Sequence, residues 1–182
     1  MRFLPAEIQD IVIIYPVVYS DERGYFCETF QAKNFFKAGI PTQFVQDNQS
    51  GSHQGVIRGL HYQIRQAQGK LIRVTAGEIY DVAVDLRKNS PTCGKWKGHI
   101  LSAENKRQIW VPPGFAHGFY VLSEWAEVLY KATDFYAPEW ERTLLWNDPQ
   151  VNITWPIANG QLPIISKKDS QGRSFKEAEL YE

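Results

Sequence analysis

The sequence predicts an all-β protein, an antiparallel sandwich or barrel with a few short helices. Three observations carry that expectation. Apolar residues recur with a period of two along much of the chain, short strand-like runs alternate with turn signals, and helix signals are few. A length of 182 residues predicts one domain spanning 1–182. No internal repeat, low-complexity segment or linker divides it.

Along the chain, Ile11 to Tyr19 is apolar but short and interrupted by Pro16, well below the ~20 residues of a membrane span. Gln31 to Ala38, with Gly39 behind it, reads as one short helix with a glycine stop. Gly55–Gln63 is the first run with strand periodicity. Lys70–Arg87 reads as two strands divided at Ala76-Gly77-Glu78. In the second, Tyr80, Val82, Val84 and Leu86 share one face, and Ile79, Asp81, Ala83 and Asp85 the other. Further runs follow at Gly98–Ser102, Gln108–Val111, His117–Leu122 and Ala126–Thr133. Turn signals separate them at Asn89-Ser90-Pro91, Ala103-Glu104-Asn105, Pro112-Pro113-Gly114 and Ser123-Glu124. Pro138 to Arg142 reads as a single helical turn, and the tail after Trp155 as loop and short helix wrapping the domain.

Composition narrows the function. Lys plus Arg and Asp plus Glu are 20 each, so the formal net charge is zero, and the basic excess of a nucleic-acid binder is missing. The start of the chain carries acidic residues where a signal peptide needs its apolar region, and the 2 cysteines, Cys27 and Cys93, form no framework. A cytoplasmic protein with reduced thiols and no membrane partner is expected. Aromatic content is high, with 6 Trp, 9 Tyr and 10 Phe.

Motifs narrow it further. Gln68-Gly69-Lys70 lacks the upstream glycine and following Ser or Thr of a phosphate loop, and neither G-x-G-x-x-G nor G-x-S-x-G occurs. The histidines, His53, His61, His99 and His117, are isolated from one another, whereas zinc or iron needs at least three converging ligands. The densest polar cluster is Arg58-Gly59-Leu60-His61-Tyr62-Gln63. A guanidinium suits a phosphate, and a neutral imidazole suits proton abstraction at neutral pH. Strict alternation puts Arg58 and His61 on opposite faces, so a shared site requires a bulge or strand end at Gly59. His117 follows a tight turn between small residues. Tyr130 shares an apolar, inward face with Ala126 and Val128, which suits either a core tyrosine or a positioned proton donor.

Several blocks together resemble the dTDP-4-dehydrorhamnose 3,5-epimerase family of nucleotide-sugar epimerases. They are Asp21 to Glu28, Gln46-Asp47-Asn48-Gln49-Ser50, Arg58 to Gln63 and Gln68-Gly69-Lys70-Leu71. Asp81 to Arg87, Gly114 to Phe119 and Ser166-Lys167-Lys168-Asp169 complete the set, in order over nearly the whole chain. The resemblance implies a jelly-roll, cupin-like barrel, and a homodimer whose N-terminal strands pair across subunits. It implies an enzyme without metal or other cofactor that converts dTDP-4-dehydro-6-deoxy-D-glucose to dTDP-4-dehydro-L-rhamnose. It makes His61 the general base, Asp169 its dyad partner, Tyr130 the proton donor and Lys70 the cation beside the C4 oxygen. Arg23, Glu28, Gln46, Asn48, Arg58, His117, Glu141 and Lys168 are then expected to line the substrate site, with Glu139 and Lys167 as alternatives to Glu141 and Lys168. A single-centre epimerase and a metal-dependent cupin oxygenase are the rival readings of the same chain.

Overall fold

The computed structural model describes residues 1–8 and 10–182. Strands β1 (Arg2–Pro5), β2 (Val12–Tyr15), β3 (Val18–Asp21) and β4 (Gly24–Cys27) come first, then helix α1 (Ala32–Lys37). The Gln31 side chain caps α1 by accepting from Asn34 N at 2.9 Å, and Gly39 ends it with φ of +73°. The long strands follow: β5 (Gln46–His53), β6 (Val56–Gln63), β7 (Lys70–Ala76), β8 (Glu78–Asp85) and β9 (Trp96–Ser102). After them come β10 (Gln108–Val111), β11 (Phe115–Val121) and β12 (Trp125–Ala132). A short 3-10 turn (Pro138–Trp140), β13 (Glu141–Thr143), β14 (Ile164–Ile165) and α2 (Lys167–Ser170) close the chain, with a last 3-10 turn at Phe175–Glu177.

One sheet has the order β1-β2-β10-β7-β12-β5 and the other β13-β6-β11-β8-β9, with β14 added in parallel to β6. The main ladders are antiparallel, and the two sheets face each other as a jelly roll. Their shared core contains Ile13, Ile72, Val74, Ile109 and Val128 from the first sheet, and Ile79, Leu101, Phe115, Phe119 and Val121 from the second. The alternation read in β8 holds: Ile79 and Ala83 enter this core, whereas Val82, Val84 and Leu86 enter a second one on the opposite face. That second core is roofed by Leu144, Val151 and Trp155, with Ile165, Phe175 and Tyr181 packed around them. Sheet two is therefore apolar on both faces, which is why β11 is buried along its whole length. A third cluster, with Ile14, Phe35, Leu71 and Trp110 at its centre, packs α1 on the outside of the first sheet. Many of the aromatics serve here, in edge-to-face contacts such as Phe3–Phe35 and Phe44–Trp110.

β3 and β4 pair only with each other. This hairpin exposes Tyr19, Tyr25 and Phe26, each more than 60% accessible; the Lys106 ammonium lies 3.9 Å from the Tyr25 ring centre. No helix among the described residues is long and apolar enough to cross a membrane.

Candidate active site

The Arg58–His61 block sits on β6 against β11. In that ladder Arg58 stands opposite Phe119, and His61 opposite His117, so three steps on β6 match two on β11. One extra residue on β6 is a bulge, and it turns Arg58 and His61 to the same, inward face. Gly59 makes it possible. Its φ is +125°, and a Cβ there would lie 2.6 Å from the Gly118 Cα. A Cβ on Gly118 would in turn lie 2.6 Å from the Arg58 carbonyl oxygen, so the two glycines allow one close approach.

His61 Nε2 lies 2.7 Å from Asp169 Oδ1. Asp169 is delivered by α2, whose Ser166 cap accepts from Asp169 N at 3.1 Å, and its Oδ2 accepts from Gly59 N at 3.1 Å. The buried carboxylate thus holds both the imidazole and the bulge. Burial pushes the Asp169 carboxyl up, but the hydrogen bond and charge of His61 and the Gly59 N–H outweigh it, leaving it below the usual carboxylate range. An ionised Asp169 accepts from Nε2–H, so His61 Nδ1 is left as the free acceptor.

On the opposite wall, β12 turns Ala126, Val128 and Tyr130 inward. Tyr130 stands across from Asn48 of β5 on one side and Ile72 of β7 on the other. Burial, reinforced by the charge of Glu141, pushes the Tyr130 phenol up. Lys70, at the start of β7, reaches across the barrel with Nζ 3.4 Å from the His61 carbonyl oxygen. Burial lowers its ammonium to about 8, against the pull of Glu141 and Asp81.

The rim is a hydrogen-bonded chain. Lys168 Nζ donates to Glu141 Oε1 at 2.8 Å, Tyr136 Oη donates to Glu141 Oε2 at 2.9 Å, and Tyr136 N donates to Gln46 Oε1 at 2.9 Å. Gln46 Nε2 donates to Asn48 Oδ1 at 2.9 Å, and Asn48 Nδ2 is buried with no hydrogen-bond partner. Arg58 is fixed by donating to Ser52 Oγ at 2.8 Å and Gly51 O at 3.3 Å. Below the rim His117, buried, lies 2.8 Å through Nε2 from Asp81 Oδ2.

His61, Asp169, Lys70, Tyr130, Gln46, Asn48, Arg58, Glu141 and Lys168 therefore lie along the inward side of the barrel, with His117 across the ladder from His61. Glu141 and Lys168 pair with each other, which separates them from the neighbouring Glu139 and Lys167. Arg23 and Glu28 stand apart. Arg23 is exposed at the tip of the β3–β4 hairpin, bound to Asp21, and the hairpin's base lies near Arg73 and Thr75, outside the first sheet. Three residues at the site carry no sequence expectation of their own. Tyr136 had only an exposed Phe-Tyr pair after a strand as its signal, Ser52 had none, and Asp81 stood out only as one of two carboxylates inside IYDVAVD.

This arrangement places an imidazole–carboxylate pair and a phenol on facing walls of one barrel, with the Lys70 ammonium beside the His61 backbone and a rim of polar side chains. The pattern of the dTDP-4-dehydrorhamnose 3,5-epimerase family matches residues 5–177. A dTDP-4-dehydrorhamnose 3,5-epimerase of Pseudomonas aeruginosa is 58% identical, with 100% of this chain and 99% of the relative covered. The crystal structure of a Legionella pneumophila dTDP-6-deoxy-D-glucose-3,5-epimerase in complex with dTDP-4-keto-L-rhamnose superposes with a TM-score of 0.95. Its identity is 50%, covering 99% of this chain and 97% of that one. A 3'-monoepimerase from Streptomyces bikiniensis, in complex with dTDP-quinovose, gives a TM-score of 0.88 at 32% identity, covering 94% and 87%. Fold, site and sequence agree: the chain belongs to the dTDP-4-dehydrorhamnose 3,5-epimerase family.

Proposed function

We propose that this protein inverts C3 and C5 of dTDP-4-dehydro-6-deoxy-D-glucose, giving dTDP-4-dehydro-L-rhamnose. The carrying observation is that the His61–Asp169 pair and Tyr130 occupy inward faces of opposite sheets. Both C3 and C5 adjoin the C4 ketone, so one carbonyl acidifies both protons. His61 Nδ1 takes the proton, and the C–H electron pair moves into a C4 enolate while Asp169 stabilises the imidazolium. Such a base contributes about 10²–10⁴-fold. Lys70 supplies positive charge where the enolate oxygen develops negative charge. Tyr130, whose raised phenol holds its proton at neutral pH, delivers that proton to the opposite face of the carbon. The tyrosinate then regains a proton from solvent and the imidazolium loses one, which resets the pair.

Substrate contacts follow from the rim. Arg58 faces the diphosphate, over the buried His117. Gln46, the free Asn48 Nδ2, Glu141 and Lys168 contact nucleotide and sugar. The half-exposed Tyr136 ring, tied to Gln46 and Glu141, offers a face for the base. Arg23 and Glu28 reach a site only in a second copy: in a cytoplasmic homodimer the exposed β3–β4 hairpin of one subunit extends to the barrel mouth of the other. No metal or other cofactor takes part in these steps.

Two variants test the roles of the pair. His61→Ala is expected to abolish exchange of substrate protons with D₂O, whereas Tyr130→Phe permits exchange but impairs inversion. Normal inversion of both centres by Tyr130→Phe, read by NMR of the product, contradicts the role given to the phenol.

A further inference from the structure

The polar strip on the inward face of the second sheet continues beyond His117. Asp81 uses Oδ2 for His117, and its Oδ1 is buried with no hydrogen-bond partner. Directly across the β8–β9 ladder stands His99, whose Nε2 is likewise buried and unpartnered. Both residues face inward, because the next pair along that face, Ile79 and Leu101, lies in the central core. A carboxylate oxygen and an imidazole nitrogen, orphaned on opposed residues, become complementary once that nitrogen carries a proton. The charged groups around His99 are Asp81 from β8, Glu7 from the segment after β1, Lys97 on its own strand and Arg107 ahead of β10. Asp81 also acts on His117 and on Lys70. Burial lowers His99 more than Asp81 and Glu7 raise it, so the ring is a neutral N–H donor at neutral pH.

We propose that His99 is a positioning residue for the epimerisation: it donates Nε2–H to Asp81 Oδ1. The Asp81 carboxylate is then clamped between His99 and His117, and its charge adds to that of Glu141, against that of Lys168, in supporting the Lys70 ammonium. His99 itself touches neither substrate nor reacting atoms. The inference rests on the enolate role of Lys70 proposed above, and it connects that role to a side chain on the far strand of the sheet.

The test compares the wild type with His99→Leu, which has no donor, and His99→Gln, which restores one. His99→Leu is expected to move the basic limb of the kcat/KM profile to lower pH by about half a unit, less than a charge in direct contact would give. Without the His99 donor the Asp81 carboxylate is free to turn, and its charge acts less on Lys70. His99→Gln returns the limb toward its wild-type position. An unmoved limb in His99→Leu, or the same displacement in both variants, overturns the proposal. ¹⁵N–¹H NMR of the full wild-type chain decides the pairing without any variant having to fold. A proton on His99 Nε2 is expected, and a bare Nε2 overturns it. Wild-type protein that exchanges no deuterium into the keto sugar refutes the proposed function, yet leaves this NMR result able to decide the His99–Asp81 pairing.

Discussion

Lys70 shows how one residue's surroundings set a measurable property of the whole enzyme. Burial lowers its ammonium to about 8, and the charge proposed to steady the enolate is present below that value and lost above it. kcat/KM is therefore expected to fall as pH rises through about 8. Lys70→Met, which keeps the stem and removes the charge, is expected to lower kcat by about 10²–10³-fold, as loss of a charge-stabilising group does. Asp169 separates charge from structure in the same way. Asp169→Asn keeps an acceptor for Gly59 N but gives up the charge that fixes the His61 tautomer, so kcat should fall by up to about 10⁴-fold with little loss of stability. Asp169→Ala also orphans the buried Gly59 N–H, adding a stability loss of about 1–3 kcal/mol in urea titrations. Equal stability of the Asn and Ala variants would contradict this division. At this scale the sequence was informative where a residue type has a narrow chemistry, as at His61. It was silent on Ser52 and Tyr136, whose importance lies in which partner they meet across the fold.

Element boundaries depend on what each element faces. The apolar alternation of β7, β8, β10 and β12 made those strands legible, and the glycine stop at Gly39 marked α1. β5, Gln46–His53, was not foreseen as a strand: its inward residues Gln46, Asn48, Ser50 and Ser52 are polar because they line the site, so the periodic signal is missing. The helical turn read over Pro138–Arg142 ends at Trp140, because Glu141–Thr143 is captured as an edge strand by β6. β14 is likewise created by its partner, two residues long and parallel to β6. The bulge was the condition on which Arg58 and His61 could share a site, and it exists because Gly59 and Gly118 meet. Gly118→Ala is expected to destabilise the protein by about 1–3 kcal/mol, since the added carbon meets the Arg58 carbonyl and backbone must move. Thermal melting reads that loss; an unchanged midpoint would show that β6 and β11 separate more freely than their packing implies.

For the molecule as a whole, zero net charge remains compatible with an anionic substrate, because the charges of Arg58 and Lys168 act together on Tyr130 and that of Lys168 reaches Lys70. The aromatic excess divides between the clusters that fill and cover the sheets and an exposed hairpin that is unaccounted for within a single chain. Exchange of that hairpin is testable by complementation. Mixing Arg23→Ala with His61→Ala subunits creates hybrid dimers in which one site is intact if the hairpin serves the partner, restoring about a quarter of wild-type activity on random assembly. No restored activity would mean that each hairpin serves its own barrel. A pair of inversions through a shared C4 enolate is tested most directly by conversion of the dTDP-keto sugar by wild-type protein in D₂O, with stereochemical analysis of the product. Deuterium is expected at both C3 and C5 of an L-configured 4-keto sugar. Label at one carbon alone, or conversion with no label at either, would contradict it.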